Sequence, residues 1–226
     1  MKNVKTISKA LMVMLLVTGC ATKTAQVSDY SGYIGDYEGL AQTTDELGKD
    51  VLRWKNPDLV PGVYDTLMID PIVFYPKPEP TAQISRDLLM DIGDYANKAL
   101  KREVGKVVKL SDQPGPRVLR MRIAITGIST AAEELSAYEY IPIAAIAAGV
   151  NSASGGRDRE VFLVAEAEFV DSMTGERMFI EVIKDHTPPV LENDTEQVTL
   201  EMVQEVLDRG AQQTRLFIEQ AIARAS

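Results

Sequence analysis

Apolar and polar residues alternate along Val118–Ile128, VLRMRIAITGI. Leu119, Met121, Ile123 and Ile125 share one face, and Arg120, Arg122 and Thr126 share the other. A period of two is that of a half-buried strand. Glu160–Val170, EVFLVAEAEFV, repeats the pattern, with Val161, Leu163, Ala165, Ala167 and Phe169 on one side and Glu166 and Glu168 on the other. Asp171–Gly175, DSMTG, reads as a turn, and Glu176–Lys184, ERMFIEVIK, as the strand that completes a hairpin. Between Ser85 and Val104 the period changes to three and four. Leu88, Leu89, Ile92, Tyr95, Ala96, Ala99 and Leu100 form one stripe of a helix, with Gly105 as its stop. A second helix is predicted from Asp194 toward Ala223. Asp194 and Gln197 have the spacing of a capping box, Val203, Val206, Gly210, Phe217 and Ala221 form the buried stripe, and Gly210 is a point of bending. Thr66–Tyr75, TLMIDPIVFY, is β-rich, and Pro71 places it at an edge or a bulge. Lys106–Leu110 reads as a short strand.

The order is strand, helix, strand, strand, hairpin, helix. It predicts a single α+β domain: a mostly antiparallel sheet with two long amphipathic helices packed on one face. This domain covers residues 66–226. Residues 30–65 precede it as a Tyr/Gly-rich segment that packs on the body. In YSGYIGDYEGL, residues 30–40, three tyrosines alternate with glycines, which suits a turn-rich segment laying its rings on the domain. A recognition surface is the other reading. Trp54 is a similar anchor, and Pro57 and Pro61-Gly62 close the stretch.

The N-terminus has a different character. Lys2, Lys5 and Lys9 precede an eight-residue apolar run, Ala10–Val17, then Thr18, Gly19 and Cys20. Basic, apolar and small residues in that order define a secretory signal peptide over residues 1–19, and the apolar run is too short to span a bilayer. Val17-Thr18-Gly19-Cys20 resembles the bacterial lipobox, which implies cleavage before Cys20 and lipidation of its thiol. Residues 20–29 then form a lipidated tether. Ala21, where sorting patterns use Asp for inner-membrane retention, implies the periplasmic face of the outer membrane in an organism that has one. Cys20 is the only cysteine, so no internal disulfide forms.

Removal of residues 1–19 takes away three lysines and no acid. The remainder carries 21 basic and 33 acidic residues, a net of about −12. That argues against nucleic acid as a partner, which needs basic patches, and against adhesion to anionic lipid by charge. A hydrophobic content of 45% marks a folded chain.

Signals for chemistry are few. His186 is the only histidine, and no serine or cysteine motif points to it. No HExxH, CxxC, EF-hand, phosphate-loop or dinucleotide motif occurs, so no catalytic residue, metal or cofactor is expected. Arg120 and Arg122 could meet Glu166 and Glu168 across neighbouring strands. The expectation is an exposed, solvated face laced with weak ion pairs, with a ligand or partner face as the alternative. GGRDRE at 155–160 adds Arg157 and Arg159 as a candidate anion or partner contact, or a plain re-entry into the next strand. Tyr140–Gly156 contains ten uncharged residues, Ile141–Val150, with small residues every four positions at Ala145, Gly149 and Ala153. Tyr140, Ile143, Ile146 and Gly149 mark it as a candidate interaction segment. Three readings stay open: a buried helix, a self-association or partner surface, and a segment dipping into the membrane interface.

SGYIGDYEGL, LRWKNP, YDTLMIDPIVFY, DQPGPRVLRMRIAITGI, GGRDREVFLVAEAEFVDSMTGE and the terminal helix follow in this order. The set resembles the DUF3313 family of bacterial lipoproteins over roughly residues 30–220. The resemblance implies a lipoprotein with one α/β domain and supplies no activity. The expected function is non-enzymatic binding or scaffolding in the cell envelope, toward a protein or peptidoglycan partner. The alternative is carriage of a lipid or small ligand, with 140–156 as gate.

Overall fold

The computed structural model describes residue 25 and residues 30–60, 62–132, 159–186 and 197–223. In chain order the elements are β1 (Ala41–Thr44), β2 (Asp50–Lys55), β3 (Thr66–Ile69), β4 (Val73–Phe74), α1 (Arg86–Val104), β5 (Lys109–Ser111), β6 (Val118–Ala132), β7 (Arg159–Asp171), β8 (Arg177–His186) and α2 (Leu200–Ala223). One eight-stranded sheet runs β1-β2-β8-β7-β6-β3-β5, with β4 also paired to β6. The long strands β6, β7 and β8 pair antiparallel, and β3, β4 and β5 add parallel pairs at one side. This is the single, mostly antiparallel α+β domain that the alternation predicted.

Local chemistry explains the element ends. Ser85 caps α1 by accepting from the Leu88 amide at 3.1 Å, and Asp87 and the pair Lys101 and Arg102 suit the two ends of its dipole. α1 ends at Val104; Gly105, the expected stop, keeps a helical backbone at φ −62° with its amide on the Lys101 carbonyl at 3.0 Å, and a Cβ there would lie 2.9 Å from that oxygen. The DSMTG turn is held by an Asp171 carboxylate oxygen that accepts from the Met173 and Thr174 amides, both at 2.8 Å. Pro71 interrupts TLMIDPIVFY between β3 and β4. There the Asp70 amide donates to the Met121 carbonyl at 3.0 Å and the Ile72 amide to Asn97 Oδ1 at 2.9 Å. The strand expected at Lys106–Leu110 is Lys109–Ser111, because the chain leaving α1 makes turn bonds back to Glu103 and Val104 first.

Both helices lie on one sheet face. Ile92, Val104, Val203 and Ile218 of the helices pack with Leu67, Met121, Ile128 and Leu163 of the strands. Full burial of one such side chain contributes about 1.5–3 kcal/mol. Phe169 of β7, Phe179 of β8 and Phe217 of α2 form an aromatic cluster, with Phe179 and Phe217 centroids 4.3 Å apart.

The opposite face is covered as well. Ala25, Ile34, Tyr30, Tyr33 and Tyr37 pack on Val164, Ile180 and Val182. Residues 41–55 do more than pack on the body: β1 and β2 are strands of its sheet, β2 pairing with β8. Trp54 of β2 lies against Gly39, where the backbone has φ +81° and a Cβ would stand 2.6 Å from Trp54 Cδ1, so only glycine fits.

Candidate functional site

The covered face is built on carboxylates. Glu166 is fully buried, and its two oxygens accept from the Ser31 amide at 2.7 Å and the Tyr37 hydroxyl at 2.6 Å. Burial and the Glu166 hydrogen bond push the Tyr37 pKa up to about 12, so this phenol stays a donor at neutral pH. Tyr30 stacks on Tyr37 at 4.3 Å. Glu168, beside Glu166 on β7, pairs with Arg122 and with Arg177. Arg177 also donates to the carbonyls of Ile34 and Asp36, at 2.9 and 3.0 Å. The solvated face expected at these positions is therefore corrected. Segment 30–40 covers Glu166 and Glu168, held by its hydrogen bonds to Glu166 and from Arg177, while the Arg120 and Arg122 side chains stay half-exposed. Arg122 and Glu168 do meet as cross-strand partners, whereas Arg120 forks onto Asp70, with its shortest contact at 2.7 Å.

Tyr37→Phe tests this fastening. It leaves one buried Glu166 oxygen without its donor, at a cost of about 2 kcal/mol. Urea unfolding should show that loss, and limited proteolysis should cut sooner within 30–40. A change below about 0.5 kcal/mol would mean the bond holds nothing.

A second polar system lies on the helix side. Arg53 of β2 donates two hydrogen bonds to Glu46, at 2.9 and 2.7 Å, and pairs with Glu181 of β8. Its guanidinium also lies over the Phe179 and Phe217 rings, 5.7 and 5.3 Å from their centroids. Burial opposes the Arg53 charge, but Glu46 and Glu181 hold its pKa above the ordinary arginine value. Gln213 of α2 donates to Glu181 at 3.2 Å. Burial pushes the Glu181 pKa up to about 7, although Arg53 pulls it down. Further along β8, Asp185 joins Lys49 of the β1–β2 turn to Arg209 of α2. Glu181 and Asp185 thus tie the first hairpin to the last helix.

Beside this network a trough of about 390 Å³ crosses the end of the sheet where β2 and β7 finish and β3, β6 and β8 begin. Leu67, Leu119, Phe169 and Phe179 line it from the sheet, and Phe217 and Ile218 from α2. Ala41, Thr43, Lys55 and Gln220 stand exposed at its rim. Lys55 has no ion-pair partner among the described residues. A smaller cavity of about 110 Å³ lies between the sheet and both helices and takes in Glu181, Asp185 and Gln213. Phe169, Phe179 and Phe217 line both spaces and form their common wall.

Cys20, the segment Tyr140, Ile143, Ile146 and Gly149, Arg157 and the Asp194 cap lie outside the described residues. Arg159 opens β7 and His186 closes β8. Arg120 and Arg122 already face carboxylates within the fold. The network of Glu46, Arg53, Glu181 and Asp185 is not among the sequence expectations, yet one signal for it was present: Glu181 interrupts the apolar positions Phe179 and Ile183 on the helix side of β8. Among the described residues, no group of three or more His, Cys, Asp or Glu side chains is placed to hold a metal, and no helix is long and apolar enough to cross a membrane.

Fold and site together define a helix-backed sheet domain, strapped on its far face and open at one end through an apolar trough. The chain belongs to the family described as Protein of unknown function (DUF3313), which matches residues 29–214. It is 35% identical over 208 residues to the "Uncharacterized lipoprotein YdcL" of Escherichia coli K12, covering 92% of this chain and 93% of that one. The protein of the same name from E. coli O157:H7 matches to the same extent. Among solved structures, a minor lipoprotein from Acinetobacter baumannii aligns at 15% identity and a TM-score of 0.38, covering 71% of this chain and 94% of that one. A PelC dodecamer subunit from Paraburkholderia phytofirmans aligns at 8% identity and a TM-score of 0.35, covering 73% of this chain and 97% of that one. Scores this low do not establish a common fold.

Proposed function

We propose that this protein is a lipid-anchored envelope protein that works by binding and scaffolding, not by catalysis. Cys20 carries the lipid, and the domain faces the periplasm from the outer membrane. The lipobox and the lipoprotein relative support the anchor. The binding reading is carried by the trough: an apolar recess with a polar rim is the form that ligand and partner sites take. The manner in which the buried charges are used agrees with it, since Glu166, Glu168, Glu181 and Asp185 each join separate elements of the fold.

The anchor is tested by Cys20→Ala. The variant should lose palmitate labelling and leave the membrane fraction; retention of both would end the lipoprotein reading. The binding site is tested by a photo-crosslinking residue at Thr43 in living cells. A specific protein adduct supports the scaffolding role, and intramolecular product alone removes the trough as a contact. The trough also favours a second reading, carriage of a small amphiphile, for which a lipid adduct is the expected result.

A further inference from the structure

The carriage reading becomes specific once the trough's dimensions and charge are considered together. The trough touches β1, β2, β8, β7, β6 and β3, six neighbouring strands. At ~4.8 Å between strands it is about 24 Å long. One acyl chain occupies about half of a ~30 Å bilayer core, so a single chain fits along it.

The rim sets the sign of the head group. Arg53 is taken up by Glu46 and Glu181, and the Tyr64 hydroxyl donates to Asp171 at 3.0 Å. Glu46, the acid lining the trough, is held by Arg53. Lys55 remains as an exposed ammonium at the mouth, and a cation over an apolar slot complements an anionic end on an apolar tail. Its place on β2 is fixed, since it pairs in register with Phe179 of the wall. The geometry points to a binding site for a single-chain anionic amphiphile, with the acyl chain along Leu67, Leu119, Phe179 and Phe217 and the carboxylate or phosphate on Lys55. The inference rests on the carriage reading and is independent of the lipid anchor.

The test uses the mature chain, residues 20–226, with Cys20→Ala, so that neither the leader's apolar run, a covalent acyl chain nor detergent competes. The probe is cis-parinaric acid, a fluorescent polyene carboxylate, with palmitate, a lysophosphatidate and cetyltrimethylammonium as competitors. Saturable emission at one site is expected, displaced at least tenfold better by palmitate or the lysophosphatidate than by the cation of the same chain length. The tighter of the two anions identifies a free fatty acid or a phospholipid source. Lys55→Glu should weaken binding at least tenfold. Ala41→Trp, made at an exposed rim position, should fill the trough and weaken it as much, with the melting temperature unchanged in both variants. No saturable signal, equal displacement by the cation, or binding indifferent to both substitutions would overturn the assignment. The scaffolding role would stand untouched in each of those cases, since a Thr43 adduct tests it separately.

Discussion

Replacing Arg53 with methionine should destabilise the protein by about 3–5 kcal/mol, the usual cost of stripping one partner from buried charges. The methionine keeps most of the apolar stem and removes the guanidinium. Glu46 loses both hydrogen bonds from Arg53, and Glu181 loses its cation. Phe179 and Phe217 lose the charge that lies over their rings. The cost should be smaller at about pH 5 than at about pH 8, because Glu181 is already protonated at the lower pH and asks less of Arg53. Urea midpoints at the two pH values measure this. A loss under about 1 kcal/mol at the higher pH would show that the pairs contribute nothing net.

Glu181→Gln should remove a pH dependence of stability between about pH 4.5 and 7. Its pKa is about 7 in the folded protein against 4.5 for an ordinary glutamate, raised by burial despite Arg53. Between those values the folded chain holds a proton that the unfolded chain has released. Stability therefore falls as pH rises from about 4.5 to 7, by up to about 3 kcal/mol, and stays at the lower level above 7. Glutamine resembles the protonated acid at every pH. The variant should lack this slope and be the more stable form at about pH 8. Histidine titrates in the same range, but His186 is present in both proteins, so the difference between them isolates Glu181. Parallel curves for the two proteins would refute the assignment.

The parts legible in the sequence were those whose environment is uniform along the element. Residues 86–104 keep one face against the sheet, so their apolar spacing survives in the burial pattern and Ser85 announces the start. β6 to β8 alternate because the helices lie on one face only. The β1–β2 hairpin was hidden for the opposite reason. β1 is an edge strand with four exposed residues, AQTT, and carries no apolar signature. In β2 the face turned to the helices carries Val51 but then Arg53 and Lys55, charges where hydrophobes would be sought. Glu166 and Glu168 misled in the same way. A polar residue on the second face of a sheet reads as solvent-facing unless the segment that covers it is known. Here the cover lies far away in the chain, beyond the reach of any local pattern: Ser31 and Tyr37 bond Glu166 across 135 and 129 positions.

Ala25 is 2% exposed and seated among Val164, Ile180 and Val182. For a chain anchored at Cys20 this leaves about five peptide steps between the bilayer and the first residue embedded in the domain. At ~3.3–3.6 Å per residue the leash is at most about 18 Å long. A body so held would graze the membrane surface and could not sweep the space beyond it. Under that anchor, whatever it met would have to come to that surface or be drawn from it, and molecules leaving the lipid leaflet would be the ones already within its radius.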